Sequence, residues 1–315
     1  MSVHLAQVGN DVRLWGRDRS LVADMVSRRA NAVYLPDISF PESVAPTESM
    51  ADALDGADVV VVAVPSHGLR GVVQAAADFI ARDAIVVSAA KGIEAGTLAR
   101  MSEVIAAEAP RVCELAVLSG PSFAVELARG LPTAVVVASR AKDTVEHLQQ
   151  GFRSPALRLY GSADVVGVEI GGALKNIIAI AAGVVEGLGL GHNALAALVT
   201  RGLAEITRLA VAAGGQKETL SGLAGLGDLV VTCTGHLSRN RHVGVELAKG
   251  RGLREILAST KMVAEGVRTT EAALALAERH QVELPIAAQV ADMLGGRKNA
   301  ATAIRDLMGR RQKLE

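Results

Sequence analysis

Short runs of Val, Ile and Ala that are apolar on both faces, set apart by longer amphipathic stretches, limit what the first half of this chain can fold into. Residues 12–15, 59–64, 84–89, 115–118 and 134–137 read as strands, and 21–29, 69–80, 99–107 and 144–152 as the helices connecting them. Strands with no polar face must be covered on both sides, which a parallel sheet flanked by helices achieves. The expected fold class is α/β, a doubly wound (Rossmann-type) parallel-sheet domain over residues 1–165. Beyond about Asp164 the strand signals stop. Residues 165–190, 194–213, 242–249, 253–257, 269–280 and 286–294 favour helix, so an all-α second domain is expected over 166–315. A length of 315 residues suits two domains.

At the start of the chain, residues 2–8 read as the end of a helix, Gly9-Asn10 as its stop and 12–15 as a second strand. The strand and Gly-x-Gly-x-x-Gly turn that open a dinucleotide-binding domain precede such a helix. The domain is therefore expected to lack its first strand and glycine turn, with the reading frame starting upstream of Met1.

Composition removes several functions. Lys+Arg and Asp+Glu each number 33, a balance unlike the basic excess of nucleic-acid binders, and aromatics at 2% supply no stacking platform. Cys113 and Cys233 are far apart, match no metal spacing and follow no secretion signal, so they read as reduced core thiols of a cytoplasmic protein. The seven His show no ligand spacing, and no metal is expected. Apolar stretches such as 177–185 fall short of the about 18–20 residues that span a bilayer, so no stable membrane insertion is expected.

Polar turns follow three strands: Pro65-Ser66-His67, Lys91-Gly92 and Gly120-Pro121-Ser122. Each alone reads more readily as an ordinary turn, but ligands of open α/β sheets sit outside the carboxyl ends of the strands, and three such turns at one edge are expected to line one crevice. Lys175 lies in a stretch of small apolar residues from Gly171 to Gly183, where Gly171 and Gly172 leave room for a backbone or a ligand. Burial lowers an ammonium pKa towards the range useful for proton transfer; the competing reading is a lysine snorkelling to water. Asp228, after Gly225-Leu226-Gly227, is placed to hold a nearby lysine or a substrate hydroxyl. Ser238-Arg239-Asn240-Arg241 combines a Ser N-cap with Arg just inside a helix, which suits a phosphate; its plain alternative is a capped surface helix with solvated arginines. Gly16-Arg17-Asp18 follows the second strand, where an Arg accommodates a ribose 2′-phosphate, tilting the cofactor towards NADP or dual use.

Taken in order, Asp11-Val12-Arg13-Leu14-Trp15-Gly16-Arg17-Asp18, Ser88-Ala89-Ala90-Lys91-Gly92-Ile93-Glu94, Leu118-Ser119-Gly120-Pro121-Ser122-Phe123-Ala124, Glu169-Ile170-Gly171-Gly172-Ala173-Leu174-Lys175-Asn176, Gly225-Leu226-Gly227-Asp228-Leu229, Ser238-Arg239-Asn240 and Val263-Ala264-Glu265-Gly266 resemble bacterial NAD(P)-dependent glycerol-3-phosphate dehydrogenases. The resemblance covers essentially the whole chain. It implies an oxidoreductase interconverting sn-glycerol 3-phosphate and dihydroxyacetone phosphate with NAD or NADP, feeding glycerophospholipid synthesis in the cytoplasm. It implies Lys175 as general acid/base and substrate contact, with Lys91, Gly120, Ser122, Asp228, Ser238, Arg239 and Asn240 at the substrate. Gly16, Arg17, Lys91, Ala124, Arg239, Val263 and Glu265 match cofactor positions. The partner is a small molecule, and a homodimer is the assembly kept open. Two alternatives stay beside this reading: another two-domain NAD(P)-dependent hydroxyacid or sugar-phosphate dehydrogenase, and a truncated, inactive binding protein.

Overall fold

The computed structural model describes residues 1–260 and 263–311. The chain divides into two compact units, one of residues 1–64, 68–90 and 102–165, the other of 65–67, 91–101 and 166 onward. The α/β part runs α1 (Ser2–Gln7), β1 (Val12–Trp15), α2 (Arg19–Arg28), β2 (Val44–Thr47), α3 (Met50–Leu54), β3 (Val59–Val62), α4 (Ser66–Ala76) and β4 (Ile85–Ser88). It continues with α5 (Met101–Glu108), β5 (Glu114–Ser119), α6 (Ala124–Ala128), β6 (Thr133–Ala138), α7 (Lys142–Phe152) and β7 (Leu157–Ser162).

The strands form a two-stranded sheet, β1-β2, and a five-stranded sheet in the order β3-β4-β5-β6-β7. Pairing is parallel, as the two-sided apolar runs imply, except between β5 and β6, which run antiparallel. Both faces of the larger sheet are covered: Val86 and Val87, adjacent on β4 and so facing opposite sides, are fully buried. Val87, Ala116, Val135, Val137 and Leu157 share one core with Leu148 of α7. Two strands lie outside the sequence expectation, and both are edges. β2 carries Pro46 opposite Leu14, tolerated because an edge strand need not donate every N–H. β7 buries Leu157 and Leu159 and exposes Tyr160, whose ring Arg158 covers at 5.1 Å. One sequence expectation fails for the cysteines: Cys233 is a core thiol but Cys113, in the turn before β5, is exposed.

The second unit holds α8 (Val165–Gly187), α9 (Gly191–Ala212), α10 (Lys217–Ser221), a π-turn (Leu223–Gly227), α11 (Asp228–Thr234) and α12 (Arg239–Ala248). α13 (Leu253–Ala258), α14 (Glu265–Arg279), α15 (Pro285–Leu294) and α16 (Ala300–Met308) follow, and no strand occurs among its described residues. α8 is longer than the apolar runs suggested, and by length and composition it could cross a membrane. Here it is a core helix, buried from Gly167 to Val185 among residues of α9, α14 and α15.

Glycines let backbones touch α8. A Cβ on Gly183 would lie 1.9 Å from the Arg241 carbonyl, and one on Gly244 would lie 1.9 Å from the Ile180 carbonyl, so α8 and α12 meet backbone to backbone. Gly171 faces the Ala224 carbonyl of the π-turn, where a Cβ would come within 2.7 Å. The room expected beside Gly171 is thus taken by backbone.

Glu205 of α9 caps α15, accepting from the Ile286 N–H at 2.7 Å and the Ala287 N–H at 3.4 Å. Burial pushes its carboxyl up to about 7, against the pull of those two donors and of Arg208 and Arg310. Between pH 4.5 and about 7 the folded chain holds a proton that the unfolded chain has released, so stability falls as pH rises through that window. Glu205→Gln keeps a carbonyl acceptor for Ile286 and should flatten this slope, raising stability above pH 7 by on the order of 3 kcal/mol. Melting curves of both proteins across the window test this; parallel pH profiles would refute it.

Candidate functional site

The apolar surroundings that bury α8 also bury the ammonium of Lys175. Its Nζ donates to one carboxylate oxygen of Asp228 and, at 2.7 Å, to the Thr232 hydroxyl. The other Asp228 oxygen accepts from Lys91 Nζ at 2.6 Å. The π-turn ends at Gly227, and Asp228 opens α11, with Thr232 four residues on and therefore on the same face. The Thr232 hydroxyl donates to the Asp228 carbonyl at 2.6 Å, leaving its oxygen to accept from Lys175. Gly225 makes the turn possible, since a Cβ there would fall 2.1 Å from the Leu220 carbonyl.

Electrostatics follow from this packing. Burial, then the neighbouring Lys91, lower the Lys175 pKa to about 8 against the opposing pull of Asp228. Burial would raise the Asp228 carboxyl, but Lys91 and Lys175 outweigh it and hold it below the usual carboxylate range. Two ammonium groups around one carboxylate leave the cluster cationic, which favours an anionic substrate. Lys175 is therefore held inside on Asp228 and does not snorkel to water.

A second group of residues lies on α12 and α14. Ser238 caps α12, its Oγ accepting from the Arg241 N–H at 3.3 Å. Arg239 projects exposed from the first turn, with Glu265 close enough to act on its charge. The Arg239 and Asn240 N–H groups stand in that first turn, where a helix offers no internal acceptor. Asn240 is buried; it donates to Asn176 Oδ1 at 2.9 Å and accepts from the Gly266 N–H at 2.9 Å. Glu265 accepts from the Ser66 N–H at 3.1 Å and from its hydroxyl at 2.5 Å. Gly92 packs on Ser66, where a Cβ would come within 2.6 Å.

The helical unit thus gathers Lys91, Lys175, Asp228, Ser238, Arg239, Asn240 and Glu265, with Val263 half-buried just before α14. Two of the three strand-end turns, at Ser66 and Gly92, meet within it. Gly16, Arg17, Gly120, Ser122 and Ala124 belong to the α/β unit. Gly120 has a φ of +133°, and a Cβ there would lie 3.0 Å from Val135 Cα; Ser122 Oγ donates back to the Gly120 carbonyl at 3.0 Å, and Ala124 opens α6. Gly16 packs against Val22, and Arg17 stands exposed after β1 without a hydrogen bond or ion pair to any described residue. Thr232, Asn176 and Gly266 were given no role from sequence, and Ser66 was expected only as part of a turn lining the crevice. The four-residue spacing of Asp228 and Thr232 could have marked the first.

Comparisons with known proteins bear on this arrangement. Residues 1–145 match the family model for the NAD-dependent glycerol-3-phosphate dehydrogenase N-terminus, and residues 164–305 match that for its C-terminus. A relative from Koribacter versatilis, named glycerol-3-phosphate dehydrogenase (NAD(P)+), is 52% identical over 305 residues, 96% of this chain and 90% of its own. One of the same name from Myxococcus xanthus is 52% identical over 97% of this chain and 92% of its own. The crystal structure of glycerol-3-phosphate dehydrogenase from Coxiella burnetii matches with a TM-score of 0.94 at 38% identity, covering 98% of this chain and 94% of that one.

Proposed function

Because the chain belongs to the NAD-dependent glycerol-3-phosphate dehydrogenase family, we propose that its buried Lys175–Asp228–Lys91 cluster is the proton-transfer centre of that reaction. The protein is an NAD(P)-dependent oxidoreductase that interconverts sn-glycerol 3-phosphate and dihydroxyacetone phosphate. The observation that carries the assignment is a lysine buried on a shared carboxylate, its pKa lowered to about 8.

When bound, the nicotinamide supplies or accepts the hydride at substrate C2. The chain's own residues handle the proton. In reduction Lys175 gives its proton to the ketone oxygen; in oxidation the neutral amine takes it from the hydroxyl. Asp228 orients both ammonium groups, and burial, followed by the Lys91 charge, lowers the Lys175 pKa to about 8 so that the proton leaves near neutral pH. Thr232 accepts from the Lys175 ammonium and fixes its direction alongside Asp228. Ser238, Arg239 and the first-turn N–H groups of α12 hold the phosphate, and that remote contact orients C2.

Residues for NAD or NADP fit the group. Arg17 is an uncommitted guanidinium at the carboxyl end of a strand, suited to ribose hydroxyls or a 2′-phosphate. Gly16, Ala124, Val263 and Glu265 complete the proposed cofactor contacts, with Lys91 and Arg239 shared between cofactor and substrate; Gly120 and Ser122 add to the substrate side. Supply of glycerophospholipid synthesis, a cytoplasmic location and a homodimer are carried over with this reading.

Replacing Arg239 with Ala should raise the KM for dihydroxyacetone phosphate at least about tenfold more than that for unphosphorylated dihydroxyacetone, because a charge-assisted bond to the phosphate is lost. Steady-state assays with NADH and NADPH measure this. Equal losses on both compounds would remove Arg239 from the phosphate.

A further inference from the structure

We propose that Asn176 and Asn240 form an amide clamp that registers three helices, and that both are positioning residues for the reaction. The inference rests on the roles assigned above to Lys175, Arg239 and Glu265.

Each helix presents one of those residues directly beside a member of the clamp. Lys175 precedes Asn176 on α8, Arg239 precedes Asn240 on α12, and Glu265 precedes Gly266 on α14. Asn240 joins all three, donating from Nδ2 to Asn176 Oδ1 and accepting on Oδ1 from the Gly266 N–H. That N–H lies in the first turn of α14, where no intrahelical acceptor exists. Asn176 closes the chain by donating to the Gly172 carbonyl of its own helix at 3.4 Å. Both carboxamides are buried, so each bond substitutes for hydration that the interior cannot offer.

Space at the junction is as restricted as its hydrogen bonding. A Cβ on Gly266 would lie 2.6 Å from the Asn176 carbonyl oxygen and 2.9 Å from Asn240 Oδ1. The backbone of α14 therefore approaches α8 as closely as glycine allows. Together with the Gly183–Gly244 contact, this ties α12 to α8 at two separate levels. A tilt of α12 about one contact would break the other, and Arg239 would move relative to Lys175.

The resemblance places Asn240 in contact with substrate; the clamp gives it a different task, and the two are separable. A group that only touches phosphate affects dihydroxyacetone phosphate alone. A clamp that sets Lys175 and Glu265 affects the chemical step whether or not the substrate carries a phosphate. Asn176 is the sharper probe, since its carboxamide already bonds to Asn240 and Gly172.

The experiment measures kcat and KM for dihydroxyacetone phosphate and for dihydroxyacetone, with wild type, Asn176→Ala, Asn240→Ala and the double variant. Asn176→Ala should lower kcat about a hundredfold on both compounds, the scale set by misplacement of about 1 Å. The double variant should lose about as much as the worse single variant, because both remove one shared interaction. Wild-type kcat in Asn176→Ala, losses that multiply in the double variant, or losses confined to the KM for dihydroxyacetone phosphate would each overturn the clamp. If Asn240→Ala fails to fold, Asn176→Leu decides: it leaves Asn240 to accept from Gly266 and removes every polar atom to which Asn240 donates on α8. A lowered kcat on dihydroxyacetone then supports the clamp and an unchanged one overturns it. Lys175→Ala tests the underlying role assignment separately: wild-type turnover in that variant would overturn the role of Lys175 while leaving the outcome of the asparagine variants to be read on its own.

Discussion

Lys175→Ala is expected to fold normally and to lose turnover about 10²–10⁴-fold, the usual contribution of a positioned acid/base group. The fold should survive because alanine suits the interior of α8 and Asp228 keeps Lys91 as its counter-charge. Burial and Lys91 place the Lys175 pKa at about 8, and the wild-type pH profile should carry that signature with opposite signs in the two directions. Ketone reduction needs the ammonium, so its kcat should fall as pH rises through about 8. Oxidation of glycerol 3-phosphate needs the free amine, so its kcat should rise through the same interval. Assays at saturating cofactor, with circular dichroism melting as the control for folding, decide the matter. A variant that turns over at the wild-type rate would remove Lys175 from the chemistry.

Gly244→Ala should act on the scaffold with comparable force. The new Cβ would sit 1.9 Å from the Ile180 carbonyl oxygen, far inside van der Waals contact, and both neighbours are backbone and cannot rotate away. α12 must shift off α8, a cost of about 3 kcal/mol at the upper end for overpacking. The melting temperature should fall by about 5 °C. Because Ser238 and Arg239 ride on α12, the KM for dihydroxyacetone phosphate should rise as well. Unchanged melting would mean that the helices can separate cheaply, and the close crossing would then have no structural consequence.

The sequence carried the fold class because two-sided apolar runs exclude most other arrangements. It did not carry the edges. β2 reads Val-Ala-Pro-Thr, and the Pro46 that marks an edge also erases the strand signal; β7 alternates like a half-exposed strand among neighbours that do not. The direction of β6 against β5 was equally hidden, because strand polarity is decided by the path of the connection through α6 and not by composition.

At the site, Lys175 stood out as a charge in an apolar helix, and Ser238 as a cap before a basic turn. Asp228 also read as a holder for a nearby lysine, but which lysines it joins is not written in the sequence. Lys91 and Asp228 are separated by 137 residues, and Ser66 and Glu265 by 199, distances over which one sequence holds no record of contact. The π-turn is invisible for a different reason: Leu-Ala-Gly-Leu-Gly is compatible with several turns, and the choice is made by Gly171 and the Ala224 carbonyl it admits.

The unequal placement of the two cysteines has a practical consequence. Alkylation proceeds through the thiolate. Cys233 is enclosed beside Thr232 with its pKa pushed up to about 12, so at neutral pH it offers a maleimide neither access nor a nucleophile. Cys113 is open to solvent on the α/β unit. The natural chain therefore accepts one fluorophore at one address, with no cysteine removed.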